Sequence, residues 1–486
     1  MGLFDNIILN LPEVESPKQK KLPFSDRLKW TLIVLVLFFI LGMIPLWPLG
    51  QNTLAQFEYL SIMLGAEFGS LLSLGIGPIV TGSIILQLLN GAGILKFDLT
   101  SHEGKQRFQG VQKIMSIVFI IFESAIYVFM GGIMPPSAAT GALRLQYQLL
   151  LVFELFLGGM IVLFMDEIVS KWGFGSGISL FIAAGISKQI LIRLISFTDT
   201  AGNFAWVSKN PPVGMLWGML ISLTNGDATG AILALAAILA TVVVFLVAVY
   251  AQAMKVEIPL SFGRIRGHGI RWPLQFIYTS NIPVILVASL FATLQLWFRL
   301  LQNWLTKGEP ICWIGNVAAR TCFPGGYING NEPLGIVAVL NGPNLAQNLI
   351  QHGTQWSIIG PVLLYSLIYI ILMIGGSVLF SIFWVQTSGM DAKSLAGQIM
   401  SSGLQIPGFR KDKRILERLL ERYIMPLTVM GAITVGFLAA FADLMGALSR
   451  GTGILLTVMI VYKLYEDIAR EHMYDMNPLL RKFMGK

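Results

Sequence analysis

Gly75-Ile76-Gly77-Pro78-Ile79-Val80 interrupts one membrane-length apolar stretch of this chain, and Asn281-Ile282-Pro283-Val284-Ile285 interrupts another. A second pair of strings also matches: Gly175-Ser176-Gly177-Ile178-Ser179-Leu180 and Gly451-Thr452-Gly453-Ile454-Leu455-Leu456. Each pair puts one member in the first half of the sequence and one in the second. Gly- and Pro-interrupted spans at corresponding places in two halves point to the working centre of a duplicated membrane protein. The residues around these breaks are aliphatic and almost uncharged, so whatever passes there is not gripped by ion pairs.

Composition agrees with that reading. Of 486 residues, 55% are hydrophobic and 12% charged, against about 25% charged in soluble proteins. Many apolar runs approach the roughly 20 residues that cross a bilayer. The first, Trp30 to Leu49, is too long for the core of a signal peptide and is followed by no small-residue cleavage site. There is no Walker loop, no HExxH and no metal-spaced Cys/His cluster, so neither metal nor cofactor is expected.

Ten spans are expected, at about 30–49, 76–95, 111–133, 147–170, 177–197, 229–253, 275–301, 356–386, 423–446 and 452–469. Ahead of the second span, Leu54 to Ser73 is apolar enough to be helical but carries Glu58 and Glu67, and reads as a short helix that does not cross. Residues 1–29 form an N-terminal segment. Its first eleven residues set Leu3, Phe4, Ile7, Ile8 and Leu11 at helical spacing, as in an interfacial helix, until Pro12 stops it. With this end inside, inner segments hold 26 of the 34 Lys and Arg, so both termini are expected in the cytosol. Five spans per half is an odd number. The second half (229–469) must then be inverted relative to the first (30–197), about an axis in the membrane plane. Each proline break falls in the second span of its half, and each Gly-x-Gly opens the fifth.

Between and beyond the halves lie an outer loop at 198–228, a longer outer loop at 302–355 and a cytosolic tail, 470–486. Two basic inner loops stand out, 254–275 and 387–422. The chain's only cysteines, Cys312 and Cys322, share the outer loop 302–355. Oxidation is permitted there, so a disulfide between them is expected, the alternative being two free thiols.

An inverted repeat with broken helices also suits a secondary transporter, which would place paired acids or a cation at its substrate site. Mid-span charge is sparse: Glu123 and Glu154 are the clear acids. Lys188 and Arg193 lie near the outer end of the fifth span, where long side chains reach water. An intramembrane protease is disfavoured, because none of the four histidines (His102, His268, His352, His472) lies in a span.

Several strings resemble the SecY family, the central subunit of protein-conducting channels, in its archaeal form close to the eukaryotic endoplasmic-reticulum homologue. They are Gly75 to Thr81, Asp166 to Lys171, Gly175 to Ile178 with Phe181 to Gly185, Val256 to Leu260, Ser280 to Leu286, Pro426 to Met430 and Gly451 to Val458. The resemblance covers all ten spans and fades in the outer loops. It implies an all-α polytopic membrane protein whose two inverted five-helix halves surround an hourglass pore and part at a lateral gate. The implied pore ring is Ile76, Val80, Ile178, Ile182, Ile285 and Leu456. Flexible apolar side chains can seal around a passing chain, and an empty apolar constriction dewets and blocks ions. The implied plug is the helix at about 54–70, with Glu58, Leu60, Leu64, Glu67 and Leu71. A polar cluster at the gate would comprise Thr81, Glu123 and Thr293, the last where relatives carry Asn. The basic loops would dock a ribosome through rRNA phosphates, with Arg264, Arg266, Arg410, Lys411 and Arg414 as candidates. The resemblance also implies SecE-like and Sec-beta-like small subunits, signal peptides and nascent secretory chains as partners, and an archaeal plasma membrane as the location.

Overall fold

The computed structural model describes residues 11–19, 22–54, 64–91, 94–95, 97, 102–199, 204–205, 212–262, 269–279, 282–306, 309–314, 323–328, 332–353, 355–401, 404–405, 413–449 and 451–476. In the first half, α1 (Phe24–Met43) leads to a two-residue strand β1 (Gln51–Asn52), then to α2 (Gly77–Gly91), α3 (His102–Phe129), β2 (Ile133–Met134), α4 (Ala142–Trp172) and α5 (Gly177–Ile195). β1 and β2 pair antiparallel, tying the loop after α1 to the loop after α3. A short helix α6 (Met215–Thr224) precedes α7 (Ala228–Ala253).

The second half continues with the strands β3 (Lys255–Phe262) and β4 (Gly269–Gln275), then α8 (Ile282–Thr306). Three strands follow, β5 (Ile311–Ile314), β6 (Phe323–Ile328) and β7 (Glu332–Gly335), and two short helices, α9 (Ile336–Asn341) and α10 (Leu345–His352). The chain closes with α11 (Trp356–Thr387), α12 (Ala392–Ser401), β8 (Leu404–Gln405), α13 (Lys413–Leu444) and α14 (Gly451–Met476).

A helix stands at each of the ten expected spans. Among the described residues, seven helical segments are long and apolar enough to cross a membrane, six of them in α3, α4, α5, α7, α8 and α13; the seventh, Ile359–Met400, takes in α11 and most of α12. α2 is shorter than expected, at 15 residues, or about 22 Å. Its start is set by the chain ahead of it. Gly75 has φ +54, and a Cβ there would lie 2.3 Å from the Leu64 carbonyl oxygen. Only glycine allows that approach.

Three sequence expectations change in detail, and parts of others fall outside the described residues. Residues 55–63 of the expected plug helix, with Glu58 and Leu60, lie outside the described residues, as do the first ten residues of the N-terminal segment. Leu64, Glu67 and Leu71 fall in or between successive turns and not in a helix, with Glu67 N–H donating to Leu72 O and Ile76 N–H to Leu64 O. The 198–228 loop contains the apolar helix α6. The 302–355 loop is a small structured unit in which β5, β6 and β7 form one antiparallel sheet. Cys312 of β5 is disulfide-bonded, and Cys322 lies outside the described residues.

This outer unit is pinned to α8. Gln302 donates to Tyr327 O at 2.7 Å and accepts from Tyr327 N–H at 2.8 Å, matching both backbone groups of one strand residue. Gln295 donates to Leu340 O, and the Arg299 guanidinium lies 5.5 Å from the Tyr327 ring centre. These three side chains recur at helical spacing and are buried.

The two basic inner loops meet in a second sheet of order β4-β3-β8. β3 alternates charge and apolar bulk from Lys255 to Ile258, the period-two pattern of a strand. β8, from the 387–422 segment, pairs with its far end, Ser261 opposite Gln405 and Phe262 opposite Leu404. α13 begins ten residues before the expected span, so its first turns stand in this same segment.

A strap from the N-terminal segment crosses the adjacent ends of α3 and α4. Lys113 pairs with Glu167 and donates to Pro12 O, Lys171 pairs with Glu13, Val14 N–H reaches Glu167 at 3.0 Å, and Trp172 donates to Glu15 O at 2.9 Å. The hydrogen bond from Lys171 and the charges of Lys171 and Lys113 hold the Glu13 carboxyl below its ordinary value of 4.5.

Candidate functional site

Chain reversals bring the six expected ring residues together. Ile76 sits in the turn before α2 and Val80 one turn into it. Ile178 and Ile182 share a face of α5. Ile285 opens α8, and Leu456 lies near the start of α14. Ile76, Val80, Ile182, Ile285 and Leu456 belong to one buried apolar cluster, and half-buried Ile178 packs against it. All six are branched aliphatics, so they bring bulk to the cluster and no polar atom.

A cavity of about 520 Å³ lies on one side of this cluster. Val80, Ile178 and Ile285 form part of its apolar wall. Gln87, Lys105, Gln112 and Asp166, from α2, α3 and α4, add polar groups to its lining. A second cleft of about 260 Å³ lies among α1, the turn after residue 63 and α5, lined by Phe38, Gly65, Glu67, Lys188 and Ile192. Lys188 forms an ion pair with Glu67 across it.

A second apolar cluster adjoins the first. Leu54 and Leu64, which flank residues 55–63 of the expected plug, share it with Leu74, Tyr127, Leu155, Ala292 and Leu296. Leu64 touches the first cluster: its O accepts from Ile76 N–H at 2.8 Å.

Of the expected polar cluster, two members meet. Glu123, 1% exposed on α3, faces Thr81 of α2. It lies so close to Gly77 that a Cβ there would be 3.4 Å from Glu123 Oε2. Thr81 also donates to Gly77 O at 2.9 Å. Thr293 is buried on α8 beside Ala292, which belongs to the cluster containing Tyr127 of α3. Of the basic candidates, Arg414 is exposed at the start of α13, while Arg264, Arg266, Arg410 and Lys411 lie outside the described residues.

The matched Gly-x-Gly strings carry a device that the glycines alone do not reveal. In the first half, Asp166 of α4 accepts from Ile178 N–H at 3.0 Å. In the second, Asp443 of α13 accepts from Thr452 N–H at 2.8 Å. Each helix start has unpaired N–H groups and a positive dipole end, and a carboxylate from the preceding helix satisfies both. Close approach demands glycine: a Cβ at Gly177 would lie 2.6 Å from Asp166 Cα, and one at Gly451 would lie 2.0 Å from Ala442 C. The signal available in sequence was an aspartate near the end of each fourth span. It went unread because a loop separates it from the glycines.

Comparison with known proteins agrees with this architecture. The SecY family profile matches residues 70–465. The chain is 42% identical to the protein translocase subunit SecY of Methanothermobacter thermautotrophicus, covering 99% of this chain and 98% of the relative. It is similar to a solved protein conducting channel with a TM-score of 0.78 at 42% identity, over 98% of both chains. It is also similar to Sec61 in a canine ribosome-channel complex from the endoplasmic reticulum, with a TM-score of 0.75 at 41% identity over 98% of both chains. By the match over residues 70–465 and by identity along nearly its whole length, the chain belongs to the SecY family.

Proposed function

We infer that the chain forms the channel through which secretory polypeptides cross the membrane and from which transmembrane segments pass sideways into lipid. The observation that supports this reading is that six aliphatic side chains from four separate segments share one buried apolar cluster, three of them lining the 520 Å³ cavity. Such a constriction excludes hydrated ions without binding a passing chain, because it offers neither charge nor hydrogen bonds. The halves are 30–197 and 229–469, both termini face the cytosol, and the chain acts as a channel and not as a catalyst. Its surroundings are an archaeal plasma membrane, with small SecE-like and Sec-beta-like subunits beside it. A secondary transporter is not favoured, since the central cluster carries no ion pair to hold a solute.

Replacing Ile76, Ile182 and Ile285 together with Ser should raise the conductance of the resting channel in planar bilayers. Leu or Met at the same positions should leave it silent. A silent triple-Ser channel would move the barrier to the second apolar cluster, around Leu54 and Leu64.

Glu123 and Thr81 join α3 to α2 where a signal peptide would part the halves. Pairing of β3 with β8 holds the two basic loops side by side, which supports a common docking surface for rRNA phosphates. Charge reversal at Arg264 and Arg410 together should weaken ribosome binding in a co-sedimentation assay and flatten its salt dependence. Unchanged affinity and salt slope would return these loops to a purely topological role.

A further inference from the structure

Helix α6, Met215-Leu-Trp-Gly-Met-Leu-Ile-Ser-Leu-Thr224, carries no charge, and no residue of it is buried within the chain. Met215, Leu216, Leu220 and Leu223 are exposed, Leu223 by 59%. An apolar face of that kind marks contact with something other than water.

Both ends of α6 are fixed. Gly214 N–H donates to Ser196 O at 3.2 Å and Trp217 Nε1 donates to Ile195 O at 3.0 Å, tying the start of α6 to the end of α5. The Trp217 and Phe197 ring centres are 4.5 Å apart. At the far end the Asn225-Gly226-Asp227 turn reverses the chain. Asp227 N–H donates to Ser222 O, and its carboxylate accepts from Gly230 N–H in the first turn of α7. α6 therefore packs back along the first part of α7.

α7 has no charged residue from Ala228 to Ala253, and Ile232, Leu235 and Leu239 in its first half are exposed. That stretch is a membrane span, and α6 lies beside its end remote from the β3–β4 hairpin. Ten residues of helix rise about 15 Å, half the hydrocarbon thickness. Its backbone pairs within the helix from Gly218 on, and Thr224 returns its hydroxyl to Ile221 O at 2.8 Å. No charged group in α6 resists lipid.

We infer that α6 is a re-entrant half-span. Its exposed face lies against acyl chains in the leaflet remote from the β3–β4 hairpin, with the Asn225–Asp227 turn in the headgroup layer. The lipid-facing surface of α7 continues onto α6, and this continuity selects lipid as the occupant.

The test uses the full chain in lipid nanodiscs, with a single added cysteine labelled with bimane under non-reducing conditions. Leu220→Cys and Leu223→Cys should lose emission to lipids carrying doxyl groups on the acyl chains as strongly as Leu239→Cys on α7. They should be insensitive to aqueous iodide. Asn225→Cys should show iodide quenching. Iodide quenching at Leu220→Cys and Leu223→Cys would put α6 in water and overturn the proposal. Insensitivity of both positions to either quencher would show a protein chain covering the helix, and would overturn it equally.

Discussion

Asp166 and Asp443 occupy corresponding places in the two inverted halves, yet one is half open and the other is locked. Asp443 is 8% exposed and accepts from Thr452 N–H, the Thr452 hydroxyl at 2.6 Å and the Tyr369 hydroxyl at 2.5 Å. It thereby joins α13, α14 and α11. Asp166 accepts from backbone N–H groups at the start of α5, and it lines the 520 Å³ cavity. The two strings also differ in register. The capped residues are Ile178 and Thr452, at the fourth position of one string and the second of the other. The same physical device, a carboxylate on a helix start, therefore serves two ends. Where it is enclosed and fully satisfied it fixes three helices together. Where it borders a cavity it caps one helix start only.

The largest expected effect separates these roles. Asp443→Ala leaves three buried donors without an acceptor and should cost about 3 kcal/mol. Asp166→Ala should cost about 1 kcal/mol, the scale of a lost helix cap, since water in the cavity can replace the carboxylate. Thermal unfolding of the solubilised protein reads both, and equal losses would break the comparison.

Substitution of the paired glycines sharpens it. Gly451→Ala drives a Cβ into the Ala442 backbone and should destabilise by about 1–3 kcal/mol. Gly453→Ala meets only Ile186 at 3.4 Å, an ordinary contact. It should unfold within a degree or so of the parent. If Gly453→Ala proved the worse of the two, the register assigned to the second half would be wrong.

A smaller effect concerns the strap at residues 12–15, which among the described residues crosses only the first half. The Glu13 carboxyl is held below 4.5 by Lys171. The unfolded strap thus binds a proton more readily than the docked one. Docking is fully supported above pH 4.5 and should weaken as pH falls through the lower, docked value. Proteolysis near residues 12–15 should accelerate below that point in the parent and show no such pH step in Glu13→Gln. An identical pH profile in both would assign the docking to Trp172 and the backbone contacts.

Several features were legible in the sequence because they depend on local spacing. Ile76/Val80 and Ile178/Ile182 share faces by helical geometry alone. The alternation of Lys255 to Ile258 fits a strand, but the charge of the 254–275 segment points only to an inner loop. The short helix α6 escaped because ten apolar residues fall below the length that spans a bilayer.

By itself, then, the sequence determined the apolar stretches, the repeated strings and the aliphatic character of the residues that share the buried cluster. Apolar length, charge asymmetry and repeated strings are properties of the chain read in order. Only the tertiary structure decided which carboxylate caps which helix, that Gln302 grips Tyr327 across the outer unit, and that two basic loops share one sheet. Those outcomes depend on approaches between residues far apart in sequence, which close packing and the need to pair buried polar groups select only once the helices have assembled.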